Sequence, residues 1–342
     1  LVAPMRVLGE SLRESCAAVL RMSPSNCRES CMLVPYVPLV LQKRAADQRR
    51  RLCTSFAAMA AQLDAAAALV QQFASAGCIV ADPQAAATKL GALIRGGPSN
   101  LTVIADFDRT LTGAKSASAH QVVAGVLSEP FRDVERRLFA HYYPIEQNLN
   151  MPLSEKIPLM EEWYRANHLT MVQEYVSREM IADGVRKARD SGAFFGREGA
   201  ADFLALLRSR EVATQILSAG LKDVVEVALI ELFGLPKWES PTDVNTGEPT
   251  SRDPIRVISN GMKFHPKAGW LEGFTEPLIH MYNKTQSVVD EGKGMLVNAL
   301  VIGDGLGDAN MSDGGASLEE VLKIGYLNDA TDDGKAKYSE AF

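Results

Sequence analysis

The sequence predicts an α/β fold built on a mostly parallel sheet. Three short runs of apolar and β-branched residues, at 101–105, 213–217 and 299–302, have the composition of strands that are buried on both faces. Each run is followed at once by small or acidic residues, and the segments between the runs have helical spacing. Strands that alternate with helices form parallel sheets, which bind ligands at their carboxyl edge. A functional site is therefore expected where the three runs end.

Two helices are predicted before the first strand. The alanine-rich segment 55–76 has apolar residues at helical spacing and ends at Gly77, and 83–94 follows Asp82, a residue type that caps helix N-termini. Residues 1–80 are predicted to form an N-terminal extension, and the first 51 of them are basic, with nine Lys and Arg against four acids. Because organellar presequences are also basic, targeting to an organelle is the alternative to a cytoplasmic location.

A helical insertion is predicted between the first two strands, where the sequence has helical spacing with polar breaks. We expect residues 112–210 to form a cap over the carboxyl edge of the sheet, and 81–111 together with 211–342 to form the core. Helices in the cap are predicted at 130–140, 154–167, 170–178, 180–191 and 199–209. The later core is predicted to contain a helix at 221–233, weaker strands at 255–258 and 323–327, and a hairpin at 263–274.

The composition excludes several classes of protein. With 342 residues and a net charge of -6, the chain lacks the basic character that binding to nucleic-acid phosphates requires. The longest apolar run near the start, 31–41, is shorter than the roughly 20 residues that cross a bilayer. All five cysteines precede residue 79 and all five histidines follow residue 119, so no local Cys/His zinc site can form. We expect a cytoplasmic monomer that binds neither nucleic acid nor membrane.

Two aspartates follow the first strand. Strand alternation places Asp106 and Asp108 on the same side of the chain, and Arg109 on the other. Neighbouring carboxylates repel each other and raise each other's pKa, a cost that is offset by a bound cation or by a role in proton transfer. For this pair taken alone, an incidental acidic turn is the alternative.

The third strand also ends in acidic residues. Asp304 and Asp308 lie in the loop GDGLGD, whose glycines let the backbone approach a ligand closely. The spacing differs from GxGxxG, so we interpret the loop as a metal and phosphate loop and not as a dinucleotide-binding one. Asp106, Asp304 and a main-chain carbonyl would form an all-oxygen site, which suits magnesium better than zinc or copper.

Candidate phosphate ligands follow the second strand and occur again near residue 284. Ser218 and Ala219 precede the predicted helix, where a hydroxyl and free amides could hold an anion. Taken alone, Ser218 would be an ordinary helix cap, and Lys284 would be a solvated surface lysine.

The order of these pieces, an acid pair, a hydroxyl, a lysine and a second acid pair, resembles that of the haloacid dehalogenase-type phosphohydrolases. The segment DFDRT matches their first motif, Ser218 the second, Lys284 the third and GDGLGD the fourth. The resemblance implies a haloacid dehalogenase-like Rossmannoid parallel sheet with a helical-bundle cap inserted after the first motif. Over residues 88–342 the chain is similar more particularly to the cytosolic pyrimidine 5'-nucleotidase family, known also as type III. The segments that carry this similarity are 107–112, 143–146, 161–164, 216–221, 280–284 and 323–329.

The resemblance implies a magnesium-dependent hydrolysis of nucleoside 5'-monophosphates, chiefly those of pyrimidines and in some members 7-methylguanosine monophosphate. Asp106 would be the nucleophile that forms an aspartyl-phosphate, and Asp108 the general acid and base. Asp106, the main-chain carbonyl of Asp108 and Asp304 would hold Mg2+. Thr110 would support this loop, and Asp308 would orient Lys284 or a metal-bound water.

The same resemblance assigns the groups that bind the substrate. Ser218, the amide of Ala219 and Lys284 would bind the phosphate. Glu146 matches the glutamate that contacts the base, and Asn167 stands where mammalian members carry a serine that contacts methylguanine. Because Asn is larger than Ser, we expect purine acceptance to be affected at Asn167.

Two other functions fit parts of this pattern. A phosphatase of the same superfamily could act on a phosphoamino acid or a sugar phosphate, and Glu146 with the aromatic residues of the cap argues against it. A phosphate-binding module without activity is the second alternative. The paired acids Asp106 and Asp108 argue against that module, because simple binding does not require the second aspartate.

Overall fold

The computed structural model describes residues 63–148, 150–236, 253–285, 297–314, 318–328 and 331–342. The predicted N-terminal extension therefore lies mostly outside the described residues. Of the helix predicted at 55–76, the described part is helical over residues 63–75, which we label α1.

The core is a parallel sheet of five strands in the order β3-β2-β1-β6-β7. The central strand β1 is buried along its whole length and pairs in parallel with β2 on one side and β6 on the other. The strands are β1 (Leu101–Ala105), β2 (Ala213–Leu221), β3 (Ile255–Asn260), β6 (Asn298–Gly303) and β7 (Glu320–Gly325). The α/β class and the three strong strand predictions are confirmed, and the order brings the ends of β1, β2 and β6 side by side.

A separate two-stranded antiparallel sheet confirms the predicted hairpin. It is formed by β4 (Met262–Phe264) and β5 (Leu271–Phe274). The remaining helices are α2 (Pro83–Gly96), α3 (Ala119–Ala124), α4 (Glu129–Gln147), α5 (Leu153–Gln173), α6 (Arg178–Asp190), α7 (Ala200–Ser209), α8 (Lys222–Glu231) and α9 (Asp332–Ala341).

Two predictions of helix boundaries are wrong. The helix predicted at 130–140 runs on to Gln147 as α4. Segments 154–167 and 170–178 form the single helix α5 up to Gln173, since no glycine or proline separates them. The chain leaves this helix at Tyr175, which has a left-handed backbone with φ 53°.

Helices from the predicted cap and the strands share one hydrophobic core. Phe107, which follows β1, packs edge-on against Phe194 and Phe233 with ring centroids 6.3 and 6.4 Å apart. Phe203 on α7 and Ile216 on β2 are fully buried in the same cluster. The division into core and cap at residues 112 and 210 stays a prediction. None of the described helices is long and apolar enough to cross a membrane.

The C-terminal helix α9 packs at the carboxyl edge of the sheet. The Tyr338 hydroxyl donates to the main-chain carbonyl of Asp304, and the Phe342 ring lies against Gly325 at the end of β7. This contact fixes the start of the acidic loop that follows β6.

Candidate active site

Asp106 is held at the end of β1 by continued sheet pairing. The Asp106 amide donates to the Ile302 carbonyl of β6 at 2.9 Å, so sheet pairing continues one residue past the strand. The backbone then turns sharply, with Arg109 at φ 59°. Asp106 is buried, whereas Arg109 is exposed, as the predicted separation of these side chains requires.

Lys284 lies buried between two aspartates. Its Nζ donates to Oδ1 of Asp106 and, at 2.9 Å, to Oδ1 of Asp308. The other oxygen of Asp308 accepts the amides of Asp304 and Gly305 at 3.1 and 2.9 Å. Asp308 therefore orients Lys284, and the alternative of a solvated surface lysine is wrong.

Three carboxylates form a cluster that can hold a metal ion. Asp106, Asp304 and Asp308 each offer an oxygen, and these atoms lie within 4.8 Å of one another. Buried all-oxygen donor sets suit hard cations such as Mg2+. In this cluster Asp308 accepts from Lys284 and from two backbone amides. Asp106 and Asp304, with the main-chain carbonyl of Asp108, are the ligands that the sequence predicts.

Neighbouring side chains orient the Asp304 carboxylate. The Thr110 hydroxyl donates to its Oδ1 at 3.3 Å, and the Asn328 amide donates to its Oδ2 at 3.0 Å. The predicted supporting residue Thr110 thus contacts Asp304 directly. Asn328 was not among the predicted site residues.

Burial and mutual repulsion raise the pKa values of the acidic groups. Burial raises the pKa of Asp106 to about 6, although the charge of Lys284 opposes the shift. For Asp108, burial and the neighbouring Asp106 raise the pKa to about 7. Burial and Asp106 also raise the pKa of Asp304 well above its ordinary value. Such shifts occur where carboxylates outnumber the cations beside them, as they do at metal and proton-transfer sites.

The charge of Lys284 is secured by its partners. Burial alone would lower its pKa, but Asp106 and Asp308 outweigh that effect and raise it. Lys284 therefore supplies a fixed positive charge beside Asp106.

Asp108 faces the turn that follows the second strand. Its Oδ1 accepts the amide of Ala119 at 3.0 Å, where α3 begins. A Cβ on Gly220 would lie only 3.3 Å from Asp108 Oδ2 and 3.1 Å from Ser218 Oγ, so these groups border one small space. The structure thus brings the first and second motifs together.

The Ser218 turn is built differently from the predicted helix cap. Strand β2 runs on to Leu221 with a register shift after Leu217, and α8 begins at Lys222 with Leu221 as its N-cap residue. The helix predicted from residue 221 therefore starts later, because the residues before it are held in the sheet. Ser218 does not cap that helix, and its Oγ accepts the Gly220 amide at 3.0 Å.

The end of β3 fixes this turn. Ser259 donates to the Gly220 carbonyl at 2.6 Å, and Asn260 donates to the Ala219 carbonyl at 2.8 Å. Asn260 also bonds both the amide and the carbonyl of Ile279, five residues before Lys284. The side chain of Asn260 therefore positions both the second and the third motif. This role was not predicted, because a single Asn at the end of a strand forms no recognisable sequence pattern.

Arg197 binds the main chain of the first motif. Its Nε donates to the Thr110 carbonyl at 2.7 Å, its Nη2 donates to the Arg109 carbonyl and to Asn328, and its guanidinium lies 3.9 Å from the Tyr326 ring centroid. No pattern of residues indicates this role, because the main acceptors are backbone carbonyls.

The residues predicted to contact a base lie on the two long helices. Glu146 is half-buried near the end of α4, and its main-chain carbonyl accepts from Lys156 Nζ at 3.1 Å and from the Tyr282 hydroxyl at 3.3 Å. Its negative charge contributes to raising the pKa values of Tyr164 and Tyr282, after burial. Asn167, on α5, is half-buried.

Tyr164, on α5, is influenced by charges from both groups of predicted site residues. Its pKa is raised mainly by burial, and the charges of Glu146, Asp108 and Asp106 raise it further while that of Lys284 opposes the shift.

The other cap aromatics pack on one another. Tyr142 stacks on Trp163 with centroids 5.8 Å apart, and Phe139 stacks on Tyr143 at 4.6 Å. Packing of the cap thus accounts for the contacts of these rings.

The chain is similar to known proteins both in sequence and in structure. A family profile described as Pyrimidine 5'-nucleotidase (UMPH-1) matches residues 104–342. The 7-methylguanosine phosphate-specific 5'-nucleotidases of Mus musculus and Homo sapiens are each 33% identical, over 74% of this chain and 81% of their own. Putative cytosolic 5'-nucleotidase 3 of Caenorhabditis elegans is 32% identical, over 77% of this chain and 69% of its own. The crystal structure of cytosolic 5'-nucleotidase IIIB bound to cytidine matches with a TM-score of 0.65 at 26% identity, covering 78% of this chain and 86% of that one.

The parallel sheet, the acidic cluster at its carboxyl edge and this likeness define a phosphohydrolase of the haloacid dehalogenase fold. More particularly, the chain belongs to the pyrimidine 5'-nucleotidase (UMPH-1) family. The predicted fold class, the predicted family and the prediction of a 5'-nucleotidase are confirmed.

Proposed function

We propose that this protein is a Mg2+-dependent 5'-nucleotidase that hydrolyses pyrimidine nucleoside 5'-monophosphates, with cytidine monophosphate as the preferred substrate. The observation that carries the proposal is the arrangement around Asp106. Its carboxylate accepts from Lys284, and Tyr282, two residues before Lys284, donates to the main-chain carbonyl of Glu146 at 3.3 Å. One short segment of the chain thus contacts both Asp106 and the residue proposed to bind the base. Phosphate chemistry and base recognition can therefore act on one substrate.

In the proposed first step, a carboxylate oxygen of Asp106 attacks the phosphorus atom. The bond between phosphorus and the ribose O5' breaks, and Asp108 gives its proton to the leaving oxygen. The raised pKa of Asp108, about 7, suits a group that must hold this proton near neutral pH.

In the second step, Asp108 takes a proton from a water molecule that attacks the same phosphorus. The bond to Asp106 breaks and inorganic phosphate leaves. Throughout, Lys284 and the Ser218–Gly220 turn bind the phosphate oxygens, and the Asn260 bonds hold that turn in place.

The donor set fits the proposed metal. Asp106 and Asp304, with the carbonyl of Asp108, would hold Mg2+, and Thr110 and Asn328 keep Asp304 oriented. When bound, Mg2+ would neutralise part of the charge on the phosphate and on the acids that surround it.

We expect removal of metal to abolish turnover. Dialysis against a chelator should lower phosphate release from cytidine monophosphate at least about a hundredfold, because the acidic cluster then repels the substrate. Added Mg2+ should restore the rate, and added Zn2+ should restore less of it because the site offers no nitrogen or sulfur ligand. Full activity in the chelator would contradict the proposed metal dependence.

Glu146 is proposed to select the base. Its carboxylate can accept a hydrogen bond from the cytosine amino group, whereas uracil presents a carbonyl oxygen at the same position and would be repelled. This difference gives the proposed preference for cytidine over uridine monophosphate.

We expect Glu146→Gln to narrow that preference. The variant loses a charge-assisted hydrogen bond to cytosine, and its amide can donate to uracil. The ratio of kcat/KM for cytidine to uridine monophosphate should fall at least about tenfold, since hydrogen bonds to charged groups contribute about 1.5–3 kcal/mol. Glu155→Gln, at an exposed position at the start of α5, is the matched control. An unchanged ratio in Glu146→Gln would refute the assignment.

7-Methylguanosine monophosphate is the second candidate substrate, because several relatives are named for activity on it. Its methylated base is cationic and would pair with the Glu146 carboxylate. A phosphate-release panel with both nucleotides decides between them, and faster release from phosphoserine or a sugar phosphate would overturn both. We propose a cytoplasmic location, in keeping with the name of the relative from Caenorhabditis elegans.

A further inference from the structure

A cavity of about 610 Å3 lies beside the catalytic loop, outside the carboxylate cluster. Its volume is in the range of small-molecule sites, which is roughly 300–1,000 Å3. Four cationic side chains line it, together with one carboxylate, Glu135. The cations are Arg109, Lys115, Arg132 and Arg136. In a chain with a net charge of -6, this is a local concentration of positive charge that the proposed hydrolysis does not use.

Arg109 projects into this cavity from a fixed backbone. Its φ of 59° is uncommon for a residue other than glycine, and strain of this kind is typical of functional loops. Its amide donates to Thr112 Oγ1 at 2.7 Å, and its carbonyl accepts from Asn328 at 3.1 Å and from Arg197. The backbone of Arg109 is thus held from both sides, while its side chain is exposed.

Two of the four cations have no acidic partner among the described residues. Neither Arg109 nor Lys115 has a described carboxylate within 4.0 Å of its charged nitrogens, and both are exposed. Arg109 nevertheless lies close enough to Asp108 and Asp304 for its charge to contribute, as a lesser influence, to lowering their pKa values. Because the Arg109 guanidinium forms no ion pair with a described carboxylate, it can bind an anion at the border of the catalytic site.

The other two cations form exposed ion pairs on α4, and Arg132 also donates to the Leu127 carbonyl at 2.9 Å. Arg136 bonds Glu129 at 2.9 Å and also Asp133, and Arg132 bonds Glu129. The side chains of Arg136 and Glu129 are 61% and 58% exposed. Exposed pairs of this kind contribute about 1 kcal/mol or less, so a more highly charged anion can replace them.

We propose that this cavity binds a small oligophosphate, a molecule with two or more linked phosphate groups, either inorganic or carried by a nucleoside. The four cations come from three parts of the chain, which are the loop after β1, residue 115 and helix α4. A linked chain of phosphates matches several separated cations at once. The bound molecule would join the loop of Asp106 and Asp108 to the helix that carries Glu146 at its other end.

Titration calorimetry with inorganic tripolyphosphate tests this site on the whole protein. The buffer contains a chelator and no Mg2+, so that the acidic cluster repels the anion and binding reports the cavity. We expect one molecule bound per chain, and a dissociation constant raised at least about tenfold in the double variant Lys115→Gln/Arg136→Gln.

The control is Lys267→Gln/Arg137→Gln, which removes two exposed cations that do not line the cavity, one of them next to Arg136 on the same helix. Its affinity should stay within about twofold of the parent. No saturable binding, or equal losses in the two double variants, would overturn the proposal.

Adenosine triphosphate in place of tripolyphosphate identifies the source of the phosphates. Tighter binding of it indicates a nucleotide, and equal binding indicates the phosphate chain alone. The test needs no turnover, so its outcome is independent of the proposed hydrolysis.

Discussion

Asp106→Asn is expected to lower turnover of cytidine monophosphate at least about a thousandfold while the protein stays folded. The amide is a far weaker nucleophile than the carboxylate, so the covalent step is lost. The variant keeps the size of the side chain and an oxygen that can accept from Lys284, and Lys284 retains its bond to Asp308. The measurement is phosphate release with saturating Mg2+, with circular dichroism to check the fold.

Asp313→Asn is the matched control for this variant. Asp313 follows the same acidic loop but is exposed, and it lies outside the cluster of three carboxylates. We expect its turnover to stay within about twofold of the parent, as for most surface substitutions. Retained metal-dependent turnover in Asp106→Asn would show that the mechanism does not pass through an aspartyl-phosphate.

The positions of the site residues at strand ends could be predicted because they depend on topology. Buried parallel strands are recognisable from their composition, and their carboxyl ends must meet at one edge. Asp106 and Asp304 follow β1 and β6, Ser218 lies in the irregular last part of β2, and the strand order β2-β1-β6 brings the three together. Lys284 lies in no regular element, and only the family resemblance pointed to it.

The residues that position this site could not be predicted. Asn260, Arg197 and Tyr338 all act by bonding main-chain amides or carbonyls. Any segment offers such partners, so neither periodicity nor residue type indicates which of them a side chain will meet. The cavity beside Arg109 escaped prediction for a related reason. Alternation correctly placed that side chain away from Asp106, but no pattern in the sequence indicates that Lys115 and the arginines of α4 share a cavity with it.

Lys284→Met is expected to destabilise the protein by about 3–5 kcal/mol at pH 8 in the absence of metal. The substitution keeps a long apolar stem but leaves Asp106 and Asp308 buried without their shared cation, and the removal of one partner from a buried ion pair costs about this much. The free energy of unfolding can be measured by urea denaturation followed by tryptophan fluorescence. Lys267→Met, in the exposed turn of the hairpin, should change it by no more than about 0.5 kcal/mol.

The pH dependence of this loss separates charge from packing. In the parent, the raised pKa of Lys284 means that its contribution is complete below its unfolded pKa, so it adds no slope between pH 5.5 and pH 8. In the variant, Asp106 loses the cation that lowered its pKa, so burial raises that pKa further. The folded variant then holds protons that the unfolded chain has released, so its stability falls as the pH rises. The destabilisation should therefore be smaller at pH 5.5 than at pH 8. An equal loss at both values would mean that Lys284 stabilises the site through packing, and that its charge is available only to the phosphate.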